Sequence, residues 1–151
     1  MRAVIQRSLY PANVKVNGEI CGEINKGLVI YLGVEDEDSD EDITWLARKI
    51  VNMRIFNDED AKMNLSLQDI QGSILLVSQF TLYASTKKGN RPSFIRSAKA
   101  EFAEKMYEQM KAHLKSEHNI NTQSGIFGAD MKVSYINDGP VTIIIDSKQK
   151  E

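Results

Sequence analysis

The run SILLVSQFTLY at 73–83 decides the fold. Its first half, Ile74-Leu75-Leu76-Val77, is short and unbroken in its apolar character, which fits a strand buried on both faces of a sheet. Its second half, Ser78-Gln79-Phe80-Thr81-Leu82-Tyr83, turns polar while the strand rhythm continues. A central strand is therefore expected over 73–82, with polar groups and backbone N–H donors at its carboxyl end, a usual place for a site. A strand of this kind needs a covering layer on each side.

The flanking sequence offers those layers. Residues 2–9 and 12–17 read as short strands broken by Pro11, and Asn17-Gly18 predicts a hairpin turn into a partner strand, Glu19 to Ile24. Lys26-Gly27 turns into Leu28-Val29-Ile30-Tyr31-Leu32, a second buried run. Ser39 and Asp42 have the spacing of a capping box. Ile43, Leu46, Ala47, Ile50 and Val51 then recur at helical intervals and predict a helix over 40–52. Arg54-Ile55-Phe56 reads as a short strand ahead of the turn-like Asn57-Asp58-Glu59-Asp60. A second helix over about 97–116 carries Phe102, Ala103, Met106, Tyr107, Met110 and Leu114 on one stripe, the methionines serving as core. Late strands are expected at 120–124, 131–136 and 141–146. The pattern predicts a layered α/β domain of mixed and antiparallel β-sheets with two main helices on one face. No repeat, low-complexity segment or linker divides residues 1–151, so one domain is expected.

Composition narrows the function. The 151 residues are 42% hydrophobic and 26% charged, ordinary for a globular chain. A net charge of −2 excludes a generally basic nucleic-acid coat. Charge is unevenly spread, however. Lys87, Lys88, Arg91, Arg96 and Lys99 form a segment without a single acid, either a solvated surface or a loop that grips phosphates. Glu35 to Asp42 holds seven acids in eight positions, explained in part by a helix amino terminus. Cys21 is the lone cysteine, so no internal disulfide forms, and it reads as a small buried hydrophobe. Two histidines, His113 and His118, adjoin no nucleophile, and no metal site or cofactor motif is present. No apolar run is long enough to span a membrane, and Met1-Arg2-Ala3-Val4-Ile5-Gln6-Arg7 is too short and polar for a signal peptide. A cytoplasmic protein is the expectation.

A second unusual stretch is Asn137-Asp138-Gly139-Pro140-Val141-Thr142, a turn between two strands. SQFTLY at 78–83 together with NDGPVT at 137–142 resembles the paired signature motifs of the D-aminoacyl-tRNA deacylases, also called D-tyrosyl-tRNA deacylases. The likeness runs in order through Met1 to Arg7, Trp45-Leu46-Ala47-Arg48-Lys49-Ile50, Lys62-Met63-Asn64-Leu65-Ser66, Arg91-Pro92-Ser93-Phe94 and Phe127-Gly128-Ala129-Asp130-Met131. Ser8-Leu9-Tyr10-Pro11 is bulkier than the family's usual stretch, and Asn90 stands where a second basic residue is common.

The resemblance implies hydrolysis of the ester joining a D-amino acid, or glycine mischarged on non-cognate tRNA, to the terminal adenosine of tRNA. It implies no cofactor and no metal. It also implies a homodimer in which the Gly139-Pro140 of one subunit, in cis, enters the other subunit's pocket as a chirality gate. Ser78, Gln79, Phe80 and Thr81 would line the reaction centre. Arg7 would hold the gate from beneath, and Phe127 and Met131 would flank the adenosine or the gate. Lys87, Lys88 and Arg91 would meet the tRNA acceptor stem. Thr81 is a candidate nucleophile, but no base is visible near it in the sequence. Oxyanion stabilisation by backbone N–H groups around Phe80 and Thr81, with the substrate's ribose 2′-hydroxyl assisting, is the expected chemistry.

Overall fold

The first strand breaks in the chain coincide with turn residues. The computed structural model describes residues 1–150. β1 (Arg2–Ser8) and β2 (Ala12–Val16) flank Pro11, and β2 reverses at Asn17-Gly18 into β3 (Glu19–Ile24). β4 (Gly27–Gly33), helix α1 (Asp40–Asn52) and a small hairpin of β5 (Phe56–Asn57) and β6 (Met63–Leu65) precede β7 (Ser73–Ser78). A 3-10 turn over Phe80–Tyr83 leads on to α2 (Ala100–His118), β8 (Thr122–Ser124), β9 (Met131–Ser134) and β10 (Thr142–Asp146).

Five strands form one mixed sheet in the order β10-β1-β4-β7-β8, with β4–β7 and β7–β8 parallel and the other pairs antiparallel. Three form a second, antiparallel sheet, β3-β2-β9. Strand alternation sends Leu28, Ile30, Leu32, Ile74 and Leu76 to a core shared with Ile43, Leu46 and Ile50 of α1 and Met106, Met110 and Leu114 of α2. The intervening Val29 and Leu75 point the other way, into a core with Ala12, Val14 and Ile24 of the second sheet. The two apolar runs are thus buried on both faces, and both helices lie on one face, as the sequence pattern requires. The second sheet does not reach the β10–β1 end. There Val4 pairs with Ile144 and Gln6 with Thr142 on an outer face where Ile144 is 68% exposed.

Helix α1 opens as expected: the Asp42 carboxylate accepts from the backbone N–H (2.9 Å) and hydroxyl (3.0 Å) of Ser39. Several boundaries differ from the sequence reading. The strand expected over 73–82 stops at Ser78, because β4 offers no partner beyond Leu32, the residue opposite Ser78. Gln79 N–H makes a last sheet-like bond to Leu32 O (2.8 Å), and the chain then curls over Gly33, with Leu82 N–H bonding Gln79 O at 3.3 Å. A Cβ on Gly33 would lie 3.1 Å from both Gln79 O and the Tyr83 ring, so the turn needs glycine beneath it. The short strand expected at 54–56 falls instead at Phe56–Asn57, and its partner β6 went unpredicted because a three-residue strand has too few residues to show alternation. Helix α2 starts later than residue 97, since Ser97 Oγ donates to Phe80 O (2.8 Å) and Ala98 N–H to Val34 O (2.9 Å). It ends on Asn119 in the left-handed region, φ 53°. Cys21 is exposed, contrary to expectation: β3 is an edge strand, and alternation turns Gly22 and Ile24 inward and Cys21 out. No helix among the described residues is long and apolar enough to cross a membrane.

Candidate active site

A cavity of about 610 Å³ opens where β4 and β7 reach their carboxyl ends, beneath the start of α2 and beside the loop that leads into β9. Ser78, Gln79 and Phe80 line it from the turn, Phe94, Ser97 and Ala98 from the segment before α2, and Phe127 and Met131 from the far side. Crevices at the carboxyl ends of parallel strands are where such sheets bind ligands. The aromatic wall is fixed by its own contacts. Phe80 meets Phe94 edge-on at 5.0 Å between centroids, and Tyr107 lies 5.9 Å from Phe127. Tyr107 is buried and donates its hydroxyl proton to Leu76 O (2.8 Å). Burial holds its phenol well above the ordinary range, so it stays a neutral donor.

The turn supplies the chemistry. Gln79 Nε2 donates to Thr81 Oγ1, and Thr81 is exposed beside the cavity, outside its lining. An amide is a donor at that nitrogen and not a base, so this contact does nothing to activate the threonine hydroxyl. The first N–H engaged within the turn is that of Leu82, so those of Phe80 and Thr81 have no partner inside it. Phe80 lines the cavity and Thr81 follows it, so the turn leaves two adjacent backbone donors next to the cavity, the kind of group that suits a developing oxyanion. Asp130, on the rim, is exposed and paired with Lys132 (2.9 Å).

Gly139 and Pro140 are elsewhere. Their peptide bond is cis, and they sit beyond the opposite end of the sheet. Arg7, which carries their turn, is opposite Leu28 on β4, whereas Ser78 is opposite Leu32. Four residues of strand separate those positions, about 13 Å at the usual rise. Arg7 is buried under the turn, its Nη2 on Asp138 Oδ2 (2.6 Å) and its Nη1 donating to Ile55 O (2.7 Å). Asp138 N–H bonds Arg7 O (2.9 Å), and Arg7 N–H returns to Val141 O (3.2 Å). Gly139 has φ 115°, and a Cβ there would stand 2.8 Å from Val141 Cγ2 and 3.2 Å from Arg7 Nη2. One chain therefore keeps its two motifs apart.

Lys87, Lys88 and Arg91 are exposed on a loop whose neck is closed by reciprocal bonds between Ser85 and Ser93 (2.8 and 2.9 Å). Arg96 is engaged, paired with Glu35 at 3.5 Å and lying over the Tyr83 ring. The same segment continues into Phe94, Ser97 and Ala98, which line the cavity. His113 and His118 meet edge-on near the end of α2 and contribute nothing to the cavity; burial, then His113, lowers the His118 pKa. Among the described residues no group of three or more His, Cys, Asp and Glu is gathered as a metal site. Sequence reasoning missed Tyr31, Phe94 and Tyr107 as lining residues. Tyr31 and Tyr107 lie within apolar patterns and read as core, and only their hydroxyls hinted otherwise.

Known proteins share this chain's sequence and fold. The chain matches the family model described as D-Tyr-tRNA(Tyr) deacylase over residues 4–146. It is 59% identical to a D-aminoacyl-tRNA deacylase of Christiangramia forsetii, covering 99% of each chain. It is 56% identical to one of Flavobacterium johnsoniae over the whole of both chains. Among solved structures it resembles one named c-Myc DNA Unwinding Element Binding Protein, with a TM-score of 0.89 and 40% identity over 97% of this chain and 98% of that one. It shares the fold of a probable eukaryotic D-amino acid tRNA deacylase, with a TM-score of 0.78 and 17% identity over 95% of this chain and 98% of that chain.

Proposed function

The chain belongs to the D-Tyr-tRNA(Tyr) deacylase family, and on that premise we propose that it hydrolyses D-aminoacyl-tRNA by chiral exclusion at a site completed by a second copy of itself. The substrate's aminoacyl ester enters the cavity with its terminal adenosine between Phe127, Met131 and the aromatic wall. Water attacks the ester carbonyl, and the N–H groups of Phe80 and Thr81 hold the oxyanion, a contribution worth about 3–4 kcal/mol per donor. The ribose 2′-hydroxyl of the substrate assists proton transfer to the departing 3′-oxygen. Collapse releases free tRNA and the D-amino acid. Ser78, Gln79 and Thr81 orient the substrate, and no metal or cofactor takes part.

The observation that carries this reading is the separation of the two motifs. The Gly139–Pro140 turn stands at the far end of the sheet from the cavity, tied to Arg7 through Asp138. A gate so placed serves a cavity only in trans, and a two-fold pair makes the arrangement reciprocal. The uncovered outer face around Ile144 is the surface on which a second copy would seat. With backbone atoms of the gate filling the space where an L side chain points, D-amino acids and glycine remain, so glycyl-tRNA is a further substrate. Lys87, Lys88 and Arg91 bind acceptor-stem phosphates, and the whole chain acts as one deacylase domain in the cytoplasm.

Matched D-tyrosyl-tRNA and L-tyrosyl-tRNA, with chelator present, test the proposal. Rapid hydrolysis of the D form alone is expected. Equal hydrolysis of both would sink the gate but leave an esterase. No hydrolysis of either by a dimer that still binds tRNA would leave a binding module.

A further inference from the structure

Across the outer face of the five-stranded sheet runs a line of side-chain hydrogen bonds that no step above uses. It starts at Tyr31, whose ring lines the cavity and whose hydroxyl donates to Tyr135 Oη at 3.2 Å. Tyr135 in turn donates to Gln6 Oε1. Gln6 Nε2 donates to Thr142 Oγ1 at 3.0 Å and, with the Asn137 amide turned so that both its ends are paired, to Asn137 Oδ1 at 2.9 Å. Asn137 Nδ2 then donates to Val141 O (2.9 Å) and Arg7 O (3.3 Å), the two carbonyls flanking the Gly139–Pro140 turn.

The order of donors matters. A glutamine amide has one accepting end and one donating end, and on steric grounds alone it fits either way round. Tyr135 removes that freedom. Its proton selects the orientation in which Oε1 faces Tyr135, leaving Nε2 for Asn137 and Thr142. Tyr31 points its own proton at Tyr135 and so leaves Tyr135 free to donate onward. Without the Tyr135 proton, half of the Gln6 orientations would set an oxygen against Asn137 Oδ1. We infer that Tyr135 is a positioning residue: through Gln6 it fixes Asn137 and so holds the Gly139–Pro140 turn in place. The consequence for selectivity rests on the gate reading above; the positioning itself does not.

Tyr135→Phe removes one hydroxyl, and Gln6→Glu keeps the acceptor but deletes the donor, so both should act alike. The test is amide hydrogen exchange in the full chain alongside hydrolysis of D- and L-tyrosyl-tRNA. The Asp138 and Val141 amides, bonded to Arg7 O and Asp138 O, should exchange roughly two- to tenfold faster in both variants, the worth of one net hydrogen bond. The Val14 amide, in the neighbouring sheet, should keep its protection, which a general loss of stability would not allow. The D-over-L rate ratio should fall by a similar factor. Unchanged exchange at Asp138 and Val141 in Tyr135→Phe overturns the inference, as does an equal rise at Val14. Faster exchange at the turn with an unchanged D-over-L ratio upholds the positioning and refutes the gate.

Discussion

Gly139→Ala places one methyl group in a turn with no room for it. The new Cβ would lie 2.8 Å from Val141 Cγ2 and 3.0 Å from Val141 N, with Arg7 Nη2 at 3.2 Å. The first contact can relax by a small rotation of a valine, but the second is backbone. The residue is also at φ 115°, where an L side chain is strained whatever the space, at a cost of about 1–3 kcal/mol. Taking roughly 2–3 kcal/mol for strain and overlap together, the turn must shift or carry that energy. If the fold carries it, the melting temperature falls by roughly 4–12 °C for a chain of this size. If the turn shifts, the gate leaves its register and D-tyrosyl-tRNA turnover falls by about 30-fold, the equivalent of 2 kcal/mol. Circular dichroism melting and initial rates on D-tyrosyl-tRNA measure the two together, and their losses should add to the strain. Unchanged melting with unchanged turnover would refute the strain argument. A clear fall in melting temperature with full turnover and full discrimination would remove the turn from the active site.

Three further outcomes are expected. Thr81→Ala should lower kcat only about tenfold, the value of one orienting hydrogen bond, whereas loss of a true nucleophile would approach a million-fold; single-turnover rates decide. Lys87→Ala/Lys88→Ala/Arg91→Ala should raise KM with kcat little changed and reduce the slope of log affinity for tRNA against log salt by about 2–3, and a salt dependence equal to the parent's would place the tRNA elsewhere. Burial alone would raise the Asp42 carboxyl, but Lys148 Nζ at 2.8 Å, Ser147 and Ser39 hold it well below the usual range. A group depressed in the folded state stabilises above its unfolded pKa, about 4. Melting of Lys148→Met should therefore trail the parent at neutral pH and converge with it as pH drops below about 4; a gap independent of pH would refute the pairing.

Much of this was legible because the signals were local. The hairpin at Asn17-Gly18, the apolar runs at 28–32 and 74–77 and the Ser39–Asp42 cap each predict an element from a few neighbouring residues. What failed depended on partners distant in sequence. The polar residues after Ser78 keep strand alternation, and only the end of β4 at Gly33 tells the chain to curl. Cys21 has the chemistry of a core residue, and only the position of β3 at a sheet edge exposes it. At the site, the two motifs were plain as motifs, but their separation by the length of a strand follows from register, which no spacing rule contains. The chain Tyr31–Tyr135–Gln6 joins three strands or their extensions, and nothing links those residues before the sheet is assembled.

The distance between Arg7's turn and the cavity has a genetic meaning. In the proposed dimer each reaction centre takes its floor from one polypeptide and its gate from the other. A copy damaged at Gln79 still offers a sound gate, and a copy damaged at Gly139 still offers a sound floor. Co-expressing the two defective alleles should restore activity that neither has alone. Random pairing makes half of the dimers mixed, each with one intact centre, so the yield should approach about a quarter of the wild-type level.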